Sequence, residues 1–194
     1  MNGKLLQIIV SVTLCITVIL VGCRPNYSPK PRGFYRIDFP EKKYQPYNGN
    51  CPYSFMYPSY GRVVPDSGPD SEPCWINIEF NEYDGKIHIS YKPVTGNLSA
   101  FIEDSHTLAY KHTIKADAIH ELLINKPRKK VFGILYDIEG NTASSVQFIL
   151  TDSTNHFLRG ALYFRTRVNK DSLRPVIDFF RKDIIYFIDT FEWK

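Results

Sequence analysis

The sequence predicts an α+β fold, with an antiparallel sheet of about five to six strands packed against two main helices. Three observations carry this. Short runs alternate apolar and polar residues with a period of two, and turn-forming residues join them. Two longer stretches repeat apolar residues at three- and four-residue steps, the helical period. The order along the chain is strand, strand, helix, three or four strands, helix. Hairpin-linked strands with segregated helices belong to the α+β class.

The elements follow in order. Lys4 is the one charge before Cys23, and Leu5 to Leu20 is apolar apart from Gln7, Ser11, Thr13 and Thr17. A basic start, an apolar stretch and small residues before a cleavage point make a secretory signal. The stretch is short for a membrane span, which needs about 20 residues. Leu20-Val21-Gly22-Cys23 resembles the bacterial lipobox, in which the Cys carries the acyl chains (palmitate among them) and becomes the new N-terminus. The competing reading is an uncleaved signal anchor. On the first reading residues 1–22 are removed, 23–50 form a lipid-anchored segment rich in proline and aromatics, and 51–194 form a single α+β domain. That length supports one domain with a sizeable core.

Residues 24–50 hold Pro25, Pro29, Pro31, Pro40 and Pro46, which forbid helix and favour extended chain. Tyr27, Phe34, Tyr35, Phe39, Tyr44 and Tyr47 interleave there with Lys30, Arg32, Arg36, Lys42 and Lys43. Either the segment wraps onto its own domain, or it is a docking strip for a partner, with Phe34, Tyr35 and Phe39 as the contacts. Cys15 is lost with the signal and Cys23 is the lipid site, so Cys51 and Cys74 remain as an even pair in a disulfide-permissive compartment. A bridge between them stabilises by about 3 kcal/mol in the chain-entropy model. The enclosed loop, with Pro58, Pro65, Gly68, Pro69 and Pro73, is expected to hold little regular structure. The alternative is two free buried thiols. No metal is expected there, since two thiolates need further ligands and His88 is the nearest histidine.

Ile76, Ile78 and Phe80 alternate with Asn77 and Glu79, and Ile87, Ile89 and Tyr91 with His88 and Ser90. These predict two strands with a tight turn at Asp84-Gly85. Asn97 is placed to cap a helix over about 98–115. Its apolar stripe is Leu98, Phe101, Ile102, Ser105, Leu108 and Ile114. Residues 118–125 read equally as helix or strand. Strands follow at about 130–138, 143–151 and 157–165, with turns near Gly140-Asn141 and over Asp152 to Asn155. In the middle one, Val146, Phe148 and Leu150 share a face; Ser145, Gln147 and Thr151 share the other with Ile149. That predicts one covered face and one mixed face. A final helix over about 171–190 has Asn169 or Asp171 as cap and Pro175 in its first turn. Its stripe is Leu173, Val176, Ile177, Phe180, Ile184, Phe187, Ile188 and Phe191. The order of elements resembles the PsbP/Mog1-like architecture, an analogy of fold alone.

Chemistry is sparse. The net charge of +4 at pH 7 is too mild to argue for nucleic acid. The five histidines, His88, His106, His112, His120 and His156, lack the i, i+4 spacing of a helical zinc site. Asp152, Ser153 and His156 carry the letters of a nucleophilic triad, but no nucleophile elbow is present, and Asp and Ser in a turn bond their own backbone. Arg159 and Arg165 on a strand, with Lys111 and Lys115 on a helix, are either a grip for an acidic partner or glycan or a solvated face. No metal, cofactor or catalytic residue is expected.

Longer phrases carry a family resemblance. They are the run from Tyr27 to Pro40, Cys51-Pro52-Tyr53, Pro73-Cys74-Trp75, and the runs from His88 to Lys92, Lys111 to Asp117 and Gly133 to Asp137. The runs from Gln147 to Ser153, His156 to Phe164 and Asp189 to Trp193 complete them. Together they resemble the GldD family, gliding-motility lipoproteins of the Bacteroidetes. The resemblance implies a non-enzymatic envelope lipoprotein that supports the gliding motor and the linked type IX secretion system. It implies envelope partners, among them the inner-membrane protein GldE and lipoproteins of the motor ring. The alternative is an envelope hydrolase or glycan-binding lipoprotein using the region of Asp152, Ser153 and His156.

Overall fold

Four short strands come first or last in the chain: β1 (Tyr44–Pro46), β2 (Tyr53–Ser54), β3 (Met56–Pro58) and, at the end, β11 (Glu192–Trp193). The longer run is β4 (Arg62–Pro65), β5 (Ile76–Phe80), β6 (Gly85–Pro93), β7 (Ala116–Lys126), β8 (Val131–Gly140), β9 (Val146–Thr151) and β10 (His156–Phe164). In this computed structural model seven strands form one sheet in the order β4-β5-β6-β10-β9-β8-β7, all antiparallel. Helix α1 (Leu98–Tyr110) follows β6, and helix α2 (Lys170–Thr190) follows β10. The structure describes residues 36–111, 115–165 and 170–194, together with Gly3, Lys4 and Gln7. The chain divides into two units, Met1–Arg36 and Ile37–Lys194. In the first, Gly3, Lys4 and Gln7 are helical and exposed. The second unit includes residues 37–50.

The α+β class holds, and the sheet is larger than expected. Residues 118–125 are strand, inside β7. The proline-rich loop between Cys51 and Cys74 contains β2, β3 and β4, contrary to the expectation of little regular structure. Pro58 and Pro65 close β3 and β4, at strand ends where a missing N–H is tolerated. The turn at Asp84-Gly85 is also different. Asn81–Tyr83 form a 3-10 turn, Asp84 takes the left-handed conformation at φ 47°, and Gly85 is already paired with Phe80.

Helix α2 lies over one face of the sheet. Val176, Phe180, Ile184, Phe187 and Ile188 are buried, and they join Phe80, Leu135, Phe148, Leu150, Leu158 and Leu162 in the main core. Gly160 is needed here, because a Cβ on it would sit 2.1 Å from the Phe148 ring. Pro175 lies inside the helix, past the first turn, because the helix begins at Lys170. Helix α1 covers part of the opposite face, with Phe101 against Phe157 at 5.5 Å and Ala109 packed with Tyr136 and Ile138. Its packed face is Ser105 and Ala109, not Leu108, which is exposed. Small residues let the helix approach the sheet closely. The helix ends at Tyr110; Ile114 and His112 lie outside the described residues. Asn97 does not cap it by side chain. Its carboxamide oxygen accepts from Thr95 N instead. With helices on both faces, all six residues of β9 are buried, so the expected mixed face is covered.

Candidate functional site

The densest polar constellation in the domain was absent from the sequence reading. Asp183 lies on the sheet-facing side of α2, between Phe180 and Phe187, and is 1% exposed. Its Oδ1 accepts from the Tyr44 hydroxyl at 2.9 Å, and its Oδ2 accepts from the Tyr60 hydroxyl at 2.5 Å and pairs with Lys42 Nζ at 2.7 Å. Lys42 Nζ also donates to Tyr60 Oη at 2.8 Å and to the Phe179 carbonyl at 3.0 Å. An ammonium has three protons, and all have acceptors here. The same ammonium lies 3.2 Å from the centre of the Phe179 ring. Burial pulls the Lys42 pKa down, opposed by Asp183. Burial, then the bonds to Asp183, push Tyr44 and Tyr60 well above the ordinary phenol.

This cluster fastens the segment after Ile37 to the last helix. Phe39 stacks on Phe179 at 4.3 Å and on Tyr83 at 5.9 Å, and Tyr44 stacks on Tyr186 at 3.8 Å. β1 pairs with β3, and Met56 N donates to Thr190 Oγ1. The C-terminus closes on the same region: β11 pairs with β2, and Lys194 N donates to the Pro52 carbonyl. Cys51 and Cys74 are joined by a disulfide with a Cα separation of 5.4 Å, a normal span for the bond.

The residues named from sequence fall as follows. Cys23, Phe34 and Tyr35 lie outside the described residues. Phe39, named as a contact on the docking alternative, packs on its own domain as the wrapping alternative has it, stacked on Phe179 and Tyr83. Asp152, Ser153 and His156 form a turn and no triad. The Asp152 carboxylate accepts the amides of Thr154, Asn155 and His156 and the Thr154 hydroxyl. Burial tends to raise its pKa, but these bonds prevail and hold it at about 2. Ser153 sits at φ 71°, and its amide donates to Thr151 Oγ1. The His156 ring stacks on Trp193 and its Nδ1 meets the Tyr91 hydroxyl. Among the described residues no group of three or more His, Cys, Asp or Glu could hold a metal. Arg159 donates to Gln147 Oε1 at 2.5 Å, and Lys115 precedes β7 rather than lying on a helix.

A cleft of about 540 Å³ lies beside β7, where the N-terminal half of α2 passes β8 and β9. Its lining mixes signs: Asp117, His120, Glu139, Arg174 and Asp178 surround an Arg181–Asp137 pair. That pair is bidentate, at 2.7 and 2.6 Å, the strong geometry for guanidinium and carboxylate. It ties α2 to β8. The domain thus carries a fastened N-terminal strip, a mixed-charge cleft and a long edge strand.

A family model described as gliding motility lipoprotein GldD matches residues 24–193. Among solved structures, the chain is similar to cyanobacterial PsbP (CyanoP) from Synechocystis sp. PCC 6803. The two share 9% identity over 90% of this chain and 99% of that chain, with a TM-score of 0.48. No curated protein matches.

Proposed function

The chain belongs to the gliding motility lipoprotein GldD family, and from that premise we propose that it acts as a non-enzymatic, lipid-tethered platform of the gliding machinery and the linked type IX secretion system. Membership makes it a gliding motility-associated lipoprotein anchored in the cell envelope. No described helix is long and apolar enough to cross a membrane. The tether in this reading is the lipid on Cys23, and bacterial lipoproteins carry several acyl chains because one alone binds only marginally.

The observation that supports the platform reading is the Lys42–Asp183 cluster. Mechanical load entering along the chain from a membrane tether meets, at Ile37 to Tyr47, a segment bonded to the last helix and stacked on its aromatic rings. The fastening sets where that load enters the domain, at helix α2 through Asp183 and the Phe179 ring. The partners we propose are envelope proteins, GldE and motor-ring lipoproteins first, captured in part through Phe34 and Tyr35.

The non-enzymatic part is tested by exchanging Ser153→Ala and His156→Ala together in the chromosomal gene. Colony spreading close to wild type, with normal protein level, is the expected result. Lost spreading at a normal protein level would favour the hydrolase alternative.

A further inference from the structure

The two edges of the seven-stranded sheet are built differently. β4 has four residues, opens with Arg62 and ends in Pro65. Short length, charge and proline are the usual protections of an exposed edge. β7, at the other end, has eleven residues and no proline. Among the described residues no strand pairs with its outer side. The register irregularity at Ala116 and Ala118 disturbs only its start. At its centre Leu122 is 54% exposed and Leu123 is 74% exposed.

Successive strand residues point to opposite faces. Leu122 pairs with Leu135, a main-core residue on the α2 side, and Leu123 pairs with Ile134, which packs on the α1 side. One added strand would therefore cover an exposed leucine on each face while pairing with the central backbone groups, Glu121 to Asn125, that no described strand pairs on this side. A lone exposed leucine is ordinary. Two in succession at the centre of a long, proline-free edge, with charges at Asp117, Glu121 and Lys126 to either side, form a template for strand addition.

We propose that this edge pairs with the same edge of a second copy of the chain, antiparallel about a twofold axis at Leu123. The strand is self-complementary in that register. Leu123 meets Leu123 of the second copy, Leu122 meets Ile124, and the Glu121 carboxylate meets the Asn125 amide. A twofold at Glu121 would oppose two carboxylates, which destabilises a strand pair. A twofold at Leu122 would leave them diagonal to each other. The contact is isologous and closes after two copies. On the lipoprotein reading, confinement of both copies to one membrane raises their effective concentration, so a modest interface suffices.

The test is cysteine crosslinking of the full chain in its native membrane. It holds whether or not the gliding role does, because the readout is mass. Leu123→Cys should give, under mild oxidation, a band of twice the monomer mass that collapses on reduction, and Arg62→Cys on the opposite edge should not. Glu121→Cys should crosslink when co-expressed with Asn125→Cys and fail when expressed alone, which fixes the register. Leu123→Lys should abolish the dimer while the circular dichroism spectrum remains that of the folded chain. A Leu123→Cys protein that stays monomeric, or that dimerises no better than Arg62→Cys, would overturn the proposal. So would a Leu123→Cys adduct with a different protein, which would show that another chain's strand occupies the edge.

Discussion

Asp183 follows Phe180 by three residues and precedes Phe187 by four, so its position lies within the apolar stripe of α2. A carboxylate on such a stripe signals a buried partner, and that signal was present in the sequence. The partners were not, since Lys42, Tyr44 and Tyr60 lie more than a hundred residues upstream and no local period points to them. Removing one member of a buried, hydrogen-bonded ion pair leaves the others unsatisfied and costs about 3 kcal/mol or more. Asp183→Ala should therefore lose about 3 kcal/mol in urea unfolding, and Asp183→Asn less, because the amide keeps an acceptor for one tyrosine. Equal stability of Asp183→Ala and wild type would remove the cluster from the account. Asp152 makes a second, pH-dependent expectation. Its carboxyl is held at about 2, against about 3.9 in an unfolded chain. A depressed carboxylate contributes stability above the unfolded value and loses it as the pH falls towards the folded one. Asp152→Asn should melt below wild type near neutrality, and the gap should narrow from about pH 4 downward. A gap independent of pH would mean that the turn does not depend on the charge.

At the scale of elements, what was legible was what repeats. The alternation in β5 and β6, the strands β8 to β10 and the stripe of α2 span enough residues for a period to show. β1 to β4 and β11 have two to four residues each, too few to display one, and they exist because distant chain supplies their hydrogen bonds. Helix α1 was legible in part. Phe101 and Ser105 of the expected stripe do pack, while Leu108 is exposed and the small Ala109 beside it is buried against Tyr136 and Ile138. The N-terminal strip divides at the start of the domain. Phe39→Ala should lower stability by about 2 kcal/mol, less than a fully buried Phe because the ring is only partly buried. Phe34→Ala with Tyr35→Ala should leave the melting temperature unchanged and, on the proposed partner reading, reduce capture of envelope proteins from crosslinked cells. Swapped outcomes would reverse the roles. Exchange of Cys51 and Cys74 for Ser should cost about 3 kcal/mol, measured by denaturant unfolding.

The domain from Ile37 to Lys194 is a sheet with a helix on each face, and no described strand pairs with the outer side of β7. Chain entry and exit meet in one region: β11 pairs with β2, and the Lys42 cluster binds the entering segment to α2. On the proposed function this body carries load or position between a membrane and a partner, and Asp152 is engaged in its own turn. The sequence carried the functional reading through long phrases spread over 27–193, while the cluster, the cleft and the open edge became visible only in three dimensions. The central claim is that this domain serves gliding from a lipid tether. The most direct measurement is complementation of a deletion strain with wild type and with Cys23→Ala, scoring colony spreading and type IX secretion together. The account requires both activities to be lost on deletion and restored by wild type, with Cys23→Ala failing at normal protein level. Full restoration by Cys23→Ala, or normal spreading and secretion in the deletion strain, would contradict it.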